Sequence, residues 1–335
     1  MTTIYLIRHA EAEGNLYRVA QGQHDGNLTD RGWRQVQALE RRFTGVFIDA
    51  AYSSDLYRTR ATATAICRPQ GLSLHLRKDL REIHVGDWEQ RTWGEIARKT
   101  PQAMADFGGR MDRWSIPGAE TPAEVLERML AALADIVREN PGKTVAVFSH
   151  GYAIRLVLAK LHGISLRDTG TKSPTGDNTA VSLLEGDEHG LRVIWQTDNS
   201  HLQTPEYRAG EKKPVVKRSY ALEPGLWFRR LEGEEAPLIL EGRREEEPVG
   251  LLRLDPDTGH ILHIYVRPDC RRRGFGVQLI GQAVLRTRDR GGEHVSIDPP
   301  PDSGAREFFL RCGFVPLAEE GRERLTKFIG FDPTV

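Results

Sequence analysis

Apolar residues fall into two kinds of run along the chain. Ile4-Tyr5-Leu6-Ile7 and Val145-Ala146-Val147-Phe148 are short and nearly unbroken, the pattern of strands buried on both faces of a parallel sheet. Each strand delivers a histidine at its carboxyl end, Arg8-His9 after the first and Ser149-His150 after the second. Elsewhere the apolar positions are spaced for helices. Trp33, Val36, Leu39 and Phe43 follow a cap at Thr29 or Asp30, and Val125, Leu126, Leu130, Leu133 and Val137 follow Thr121-Pro122 with Glu124 three residues after the cap. Asn140-Pro141-Gly142 ends that helix. A short strand over 50–54 precedes a helix that begins at Asp55, another helix starts at Tyr152, and residues 181–184 and 191–195 read as a hairpin.

Alternating strands and helices predict an open α/β sheet, and the carboxyl ends of its strands are where such sheets gather ligand groups. Arg8, His9 and His150 are thereby placed at one mouth. A guanidinium is a fork of donors suited to phosphate oxygens, and a neutral imidazole is a nucleophile near physiological pH. Arg58, in the first turn of its helix, opposes the helix dipole unless it meets an anion there. The polar loop Gln21–Asn27 lies at a strand end, where substrate contacts commonly sit, and Glu82 and His84 fall in an irregular stretch, Leu80–Glu89.

Beyond residue 205 the pattern breaks. Gly210-Glu211-Lys212-Lys213-Pro214 has charge, glycine and proline without apolar periodicity, which marks a linker over 209–220 between domains at 1–208 and 221–335. Leu226–Leu231 and Pro248–Leu254 then read as strands, with the charged run Arg243–Glu247 between them as a solvated turn. His260–Val266 is a strand that enters Arg271-Arg272-Arg273-Gly274-Phe275-Gly276, followed by a helix through Val277, Leu279, Ile280 and Val284 and a strand His294–Ile297. Glycines at a helix start let backbone N–H groups cradle a pyrophosphate.

A length of 335 residues agrees with two domains. The 47 basic and 47 acidic residues cancel, which gives no footprint for nucleic acid or an anionic membrane surface. Cys67, Cys270 and Cys312 are widely spaced and lack a CxxC pair, so neither a disulfide framework nor a zinc site is indicated. The opening residues read as a folded strand, not a signal peptide, and the apolar helix over 152–164 is interrupted by Arg155 and Lys160; the expected location is the cytoplasm. No oligomeric state follows from these features.

Residues 1 to about 205 resemble the histidine phosphatase superfamily, which includes cofactor-dependent phosphoglycerate mutases and small phosphomonoesterases. Its R-H-G signature appears as Arg8-His9-Ala10, its S-x-L-x-R-T-x-x-T-A segment as Ser54 to Ala63 with Arg58 as the arginine, its acidic residue as Glu82 before Gly86 and Trp88, and its second histidine as Ser149-His150-Gly151. The resemblance implies a three-layer α/β/α domain. It also implies that His9 is the nucleophile, that Arg8, Arg58, Asn15 and His150 hold the phosphoryl oxygens, and that Glu82 is the general acid and base. Gln21 and Gly22 become substrate contacts, and no metal or cofactor is needed because the arginines supply the charge. The short segment between Trp88 and Gly118 favours a phosphatase over a mutase, which remains the alternative. The partner expected is a small phosphorylated metabolite.

Residues from about 225 to 330 resemble the GCN5-related N-acetyltransferase (GNAT) family, a smaller α+β fold. Its R-x-x-G-x-G motif is Arg271 to Gly276, and its later N-x-x-A-x-x-F-Y-x-x-x-G-F pattern is echoed by Asp302, Ala305, Phe308, Phe309, Gly313 and Phe314. The resemblance implies acetyl-CoA held by Val266, Arg271, Arg272, Arg273, Gly274, Phe275 and Gly276. Two departures bear on transfer. Phe309 stands where the family often has a proton-donating tyrosine, and the stretch between the first two strands is too short for the usual helix pair. His263 or Glu293 is then the remaining candidate base. A third reading makes the chain an acetyltransferase whose first domain only binds a phosphorylated ligand.

Overall fold

A computed structural model describes residues 1–210, 225–231, 237–319 and 322–335, apart from the side chains of Glu319 and Arg322. Most of the expected linker, from residue 211 onward, lies outside the described residues. The first domain comprises β1 (Thr2–Arg8), α1 (Glu13–Tyr17), α2 (Asp30–Arg42), β2 (Ala50–Ser53), α3 (Tyr57–Gln70), β3 (Leu74–Leu76), α4 (Trp93–Lys99), α5 (Pro101–Gly109), α6 (Pro122–Glu139), β4 (Thr144–Ser149), α7 (Gly151–Leu161), α8 (Leu166–Lys172), β5 (Val181–Asp187), β6 (Gly190–Asp198) and α9 (Pro205–Gly210). Its strands form one sheet in the order β3-β2-β4-β1-β5-β6, with β1 parallel to β4 and antiparallel to β5.

Strand side chains point alternately to the two faces, so the unbroken apolar runs feed two cores. Ile4 and Leu6 pack with Val125, Met129 and Leu156 of α6 and α7, whereas Ile7 packs with Leu39 of α2 and Ile66 of α3. Helices thus cover both faces in three layers. Thr29 caps α2 by accepting the Gly32 N–H, and Thr121 with Glu124 forms the capping box of α6. The strand ends carrying His9 and His150 are neighbours because Arg8 pairs with Ser149 across the β1–β4 ladder.

The second domain comprises β7 (Trp227–Arg230), β8 (Leu238–Arg244), β9 (Glu247–Asp255), β10 (His260–Val266), α10 (Phe275–Arg288), β11 (His294–Ile297), α11 (Ser303–Arg311), β12 (Val315–Glu319) and β13 (Arg322–Phe328). The sheet order is β12-β13-β11-β10-β9-β8-β7, antiparallel except for β10 with β11. The sequence reading missed β8. Arg243 and Arg244 are not a solvated turn but the end of a strand paired on both sides, with Leu238, Leu240 and Gly242 facing inward and Glu241 and Arg243 outward. Only Glu245 and Glu246 turn the chain into β9.

The two domains share a core. Tyr17 and Val19, from α1 and the residues after it, pack among Leu238, Leu240, Ile280 and Leu325 of the second domain, and a Cβ on Gly281 would lie 2.5 Å from the Tyr17 ring. The last residues run back over the first domain, where Val335 joins the α2–α3 core. Cys67 and Cys270 are buried and Cys312 half-buried, all as free thiols; burial pushes Cys67 up to about 11 and Cys312 to about 12. Among the described residues no helix is long and apolar enough to cross a membrane.

Candidate active site

His9 follows directly on β1, almost fully buried, and its Nδ1 lies 2.7 Å from the carbonyl oxygen of Ala10. A carbonyl only accepts, so Nδ1 carries the proton and Nε2 keeps a free lone pair. The backbone after His9 is fixed in turn by a 2.9 Å bond from the Ala10 N–H to Thr62 on α3. Position 10, where the family has glycine, holds a wholly buried alanine.

His150 lies next to His9, with ring centroids 5.2 Å apart. Arg58 Nε donates to its Nδ1 at 3.2 Å, which leaves the His150 proton on Nε2, 2.9 Å from Ser54 Oγ. Any phosphoryl oxygen bonding His150 would compete with Ser54 for that proton. Burial first, then the nearby guanidinium groups, hold both imidazoles well below their usual range.

The arginines are the unusual feature. Arg58 is 1% exposed and donates, besides the His150 bond, to the carbonyls of His24 at 2.9 Å and Gly22 at 2.7 Å, which occupies three of its five N–H groups. Arg8 donates through Nη1 to the Gly176 carbonyl, while its buried Nε has no hydrogen-bond partner. Gly151 makes room for it, since a Cβ there would come within 3.0 Å of the guanidinium. Among the described residues neither arginine forms an ion pair with a carboxylate, although Glu82 and Asp177 near Arg8, and Glu82, Asp25 and Glu89 near Arg58, temper the effect of burial. Cations held this far from water without a direct ion pair are costly, and an anion in the site would offset that cost.

Glu82 reaches the same place from the irregular stretch. Its Oε1 accepts the N–H groups of Ile83 and Ala153 at 3.1 and 3.0 Å, and its Oε2 accepts that of Tyr152 at 3.1 Å, at the start of α7. Oε2 therefore retains a lone pair for a proton. Asn15 is exposed on α1 with Oδ1 held by the Ala12 N–H, Gln21 lies over Gly14 and Gly26, and Gly22 turns the loop so that its carbonyl meets Arg58. His84 is turned toward the Gly118 carbonyl.

Sequence reasoning passed over two contributors. Ser54 stood inside the quoted arginine segment without a role, yet it meets His150. Arg128, in mid-α6, donates to the carbonyls of Asp79, Arg81 and Glu82 and to both oxygens of Glu120, which fixes the peptide carrying Glu82. An arginine within a core-spaced helix was the available signal.

In the second domain Val266 and Arg271 meet, through a 3.1 Å bond from Arg271 Nε to the Val266 carbonyl. Gly274 caps α10 at φ 84°, a left-handed conformation that glycine adopts without strain, and so aims the first-turn N–H groups at the arginine loop. Arg271 and Arg272 are exposed and Arg273 half-buried. Phe275 is packed with Leu226, Val249 and Cys270, with the Arg273 guanidinium 5.2 Å from its ring, and Gly276 lies against Phe308. Phe309 is 2% exposed within the core. Glu293 is set aside as a base: the pairing of His260 with Ser296 puts it beyond the start of β10, at the opposite end from Val266. His263 is exposed beside a bulge in β10. A cleft of about 1050 Å³ lies between the domains, lined by Glu89, Arg91, Phe228 and Arg286 among others, and the two histidines do not line it.

Residues 4–199, more than half of the chain, match the family model of the histidine phosphatase superfamily (branch 1). Residues 197–314 match that of the acetyltransferase (GNAT) family; the match begins inside β6, which pairs with β5 of the first sheet. The "Probable phosphoglycerate mutase GpmB" of Salmonella typhi is 29% identical over 210 residues, 61% of this chain and 97% of that protein. Bacillus stearothermophilus YhfR superposes with a TM-score of 0.58 at 31% identity, covering 60% of this chain and 100% of its own. Phosphoserine phosphatase from Entamoeba histolytica, solved in complex with 3-phosphoglyceric acid, gives a TM-score of 0.53 at 28% identity with the same coverage. The chain belongs to the histidine phosphatase superfamily, branch 1, and a GNAT-family domain follows its phosphatase domain.

Proposed function

We propose that the first domain is a metal-independent phosphomonoesterase acting on a small phosphorylated metabolite through a phosphohistidine at His9, and that the second domain binds an acyl-coenzyme A. The observation that carries this reading is a buried guanidinium group, Arg58, and a half-buried one, Arg8, neither in an ion pair among the described residues, beside an imidazole whose Nε2 is free. A phosphomonoester brings about −1.5 to −2 charges at neutral pH, which Arg8 and Arg58 can balance. With the charge balanced, His9 Nε2 attacks phosphorus and the P–O bond to the leaving alcohol breaks. The alkoxide takes a proton from Glu82 Oε2. Water then attacks the phosphohistidine, gives its proton to Glu82, and releases inorganic phosphate with His9 restored. The arginines stabilise the charge on the transferring group in both steps.

Hydrolysis is favoured over phosphate exchange by the short segment from Trp88 to Gly118. Phosphoserine and 3-phosphoglycerate are the first metabolites to try, by analogy with the Entamoeba protein. For the second domain, the exposed arginines and the first-turn N–H groups of α10 suit a pyrophosphate, and binding is the supported role, since a phenyl ring at position 309 cannot donate a proton. Hydrolysis of an aryl phosphate by the full chain, unaffected by a metal chelator and abolished in His9→Ala, is the expected result. Unchanged turnover in His9→Ala overturns the reading, and interconversion of 3- and 2-phosphoglycerate without phosphate release replaces it with a mutase.

A further inference from the structure

The loop that Arg58 holds is itself held from the second domain. At the near end, Arg58 donates to the Gly22 and His24 carbonyls. At the far end, the Asn27 N–H donates to Glu13 Oε2 at 3.0 Å, its carbonyl accepts the Glu13 N–H at 2.9 Å, and its Nδ2 donates to the carbonyls of Ile329 and Gly330 at 3.1 and 2.6 Å. Arg288, at the carboxyl end of α10, closes the arrangement: Nη1 and Nη2 reach the two Glu13 oxygens at 2.9 and 3.2 Å, and Nη2 and Nε donate to Ile329 O at 2.7 and 3.2 Å. This ion pair is nearly shut off from water, with side-chain exposures of 14% and 9%.

A second path ends on Arg58 directly. Asp25 of the loop accepts the N–H of Tyr57, the residue before Arg58, at 2.7 Å. The Tyr57 ring packs 4.9 Å from Phe331, its hydroxyl accepts the Asp332 N–H at 3.3 Å, and the Arg288 guanidinium lies 5.1 Å from the Phe331 ring.

We propose that Arg288 and the segment Ile329–Asp332 are positioning elements of the phosphatase site, through which the second domain sets how tightly the first holds its phosphate. The proposal rests on the phosphatase reading above. Removing Arg288 leaves the buried Glu13 carboxylate with the Asn27 N–H as its donor, and frees both the loop and the start of α3 to shift. Displacements near 1 Å at a reacting centre cost up to about 100-fold in rate.

The test compares the full-length wild type with Arg288→Ala, Arg288→Lys and Asn27→Ala, and with Arg98→Ala as a control. Arg98 is also an interdomain contact, bonding Glu246 and stacking 4.3 Å from the Trp227 ring, and neither partner belongs to the loop. Steady-state kcat and KM on an aryl phosphate, affinity for inorganic phosphate by calorimetry, and melting temperature are read for each. Arg288→Ala should raise KM about 10-fold, weaken phosphate binding by the same factor and change kcat less, with partial recovery in Arg288→Lys. Asn27→Ala should move the same quantities in the same direction by a smaller factor and decides the matter if Arg288→Ala does not fold. Arg98→Ala should leave both within twofold even where its melting temperature falls. Folded Arg288→Ala or Asn27→Ala protein with wild-type KM and phosphate affinity overturns the positioning role alone. A wild type that neither hydrolyses the ester nor binds phosphate overturns the phosphatase reading together with it.

Discussion

The two domains present their candidate sites in opposite ways. In the first, side chains from the ends of β1 and β4, from α3 and from the stretch before α4 converge, and the arginines among them, one buried and one half-buried, lack the carboxylate partners that Arg77, Arg81 and Arg128 have. In the second, the candidate coenzyme site is mainly backbone: a left-handed glycine, the first turn of α10 and exposed arginines around them. Chemistry at phosphorus needs charge held out of water, which only tertiary packing supplies. A pyrophosphate cradle of the proposed kind needs little beyond one local turn, while position 309 belongs to the core.

The widest separation between the sites should come from Arg58. Arg58→Ala is expected to lower kcat/KM on an aryl phosphate by about 10²- to 10³-fold, as for loss of one preorganised donor. Arg58→Lys should recover little, because an ammonium cannot serve His150, Gly22 and His24 as one planar fork does. Near-wild-type turnover in either variant would make the unpaired arginines incidental.

Next in size is a dependence on pH. Burial and the arginines depress His9 and His150 below 6.5, so each stays neutral in the folded chain while the unfolded chain binds a proton there. Stability is therefore intact above pH 6.5 and falls as pH drops below it, by about 1.4 kcal/mol per pH unit for each histidine. Turnover should not lose its nucleophile over the same range, since His9 remains unprotonated. Denaturant midpoints between pH 7 and 5, read beside initial rates, check both halves; a rate that titrates away at 6.5 would contradict the electrostatics of the site.

The smallest effect concerns the second domain. Phe309→Tyr should confer no acetyl transfer from acetyl-CoA to a panel of amines, and should destabilise the chain by about 1–3 kcal/mol, because the added hydroxyl enters an apolar core. Gain of transfer in this variant would show that position 309 faces the coenzyme and would erase the contrast between the domains.

What could be read from sequence follows the same division. The strands ending in His9 and His150 were legible because buried parallel strands are continuous apolar runs, and the caps of α2 and α6 because capping is local. Strand β8 was not, since its outward Glu241 and Arg243 make it look solvated, while the core that Leu238 and Leu240 enter is completed by Tyr17 and Val19, more than 200 residues earlier. Arg128 was harder to place for a related reason: besides Glu120, its partners are backbone carbonyls some 50 residues away, so its position in a core-spaced helix marks it as unusual without saying what it holds.

The placement of Tyr17 and Val19 also bears on how this fusion can be handled and inherited. Excised from its neighbour, the acetyltransferase-like half would present the greasy seat of those two residues to solvent and invite aggregation. Grafting a different phosphatase onto it would require importing the α1 turn as well, so the pairing travels as a single unit rather than as interchangeable modules.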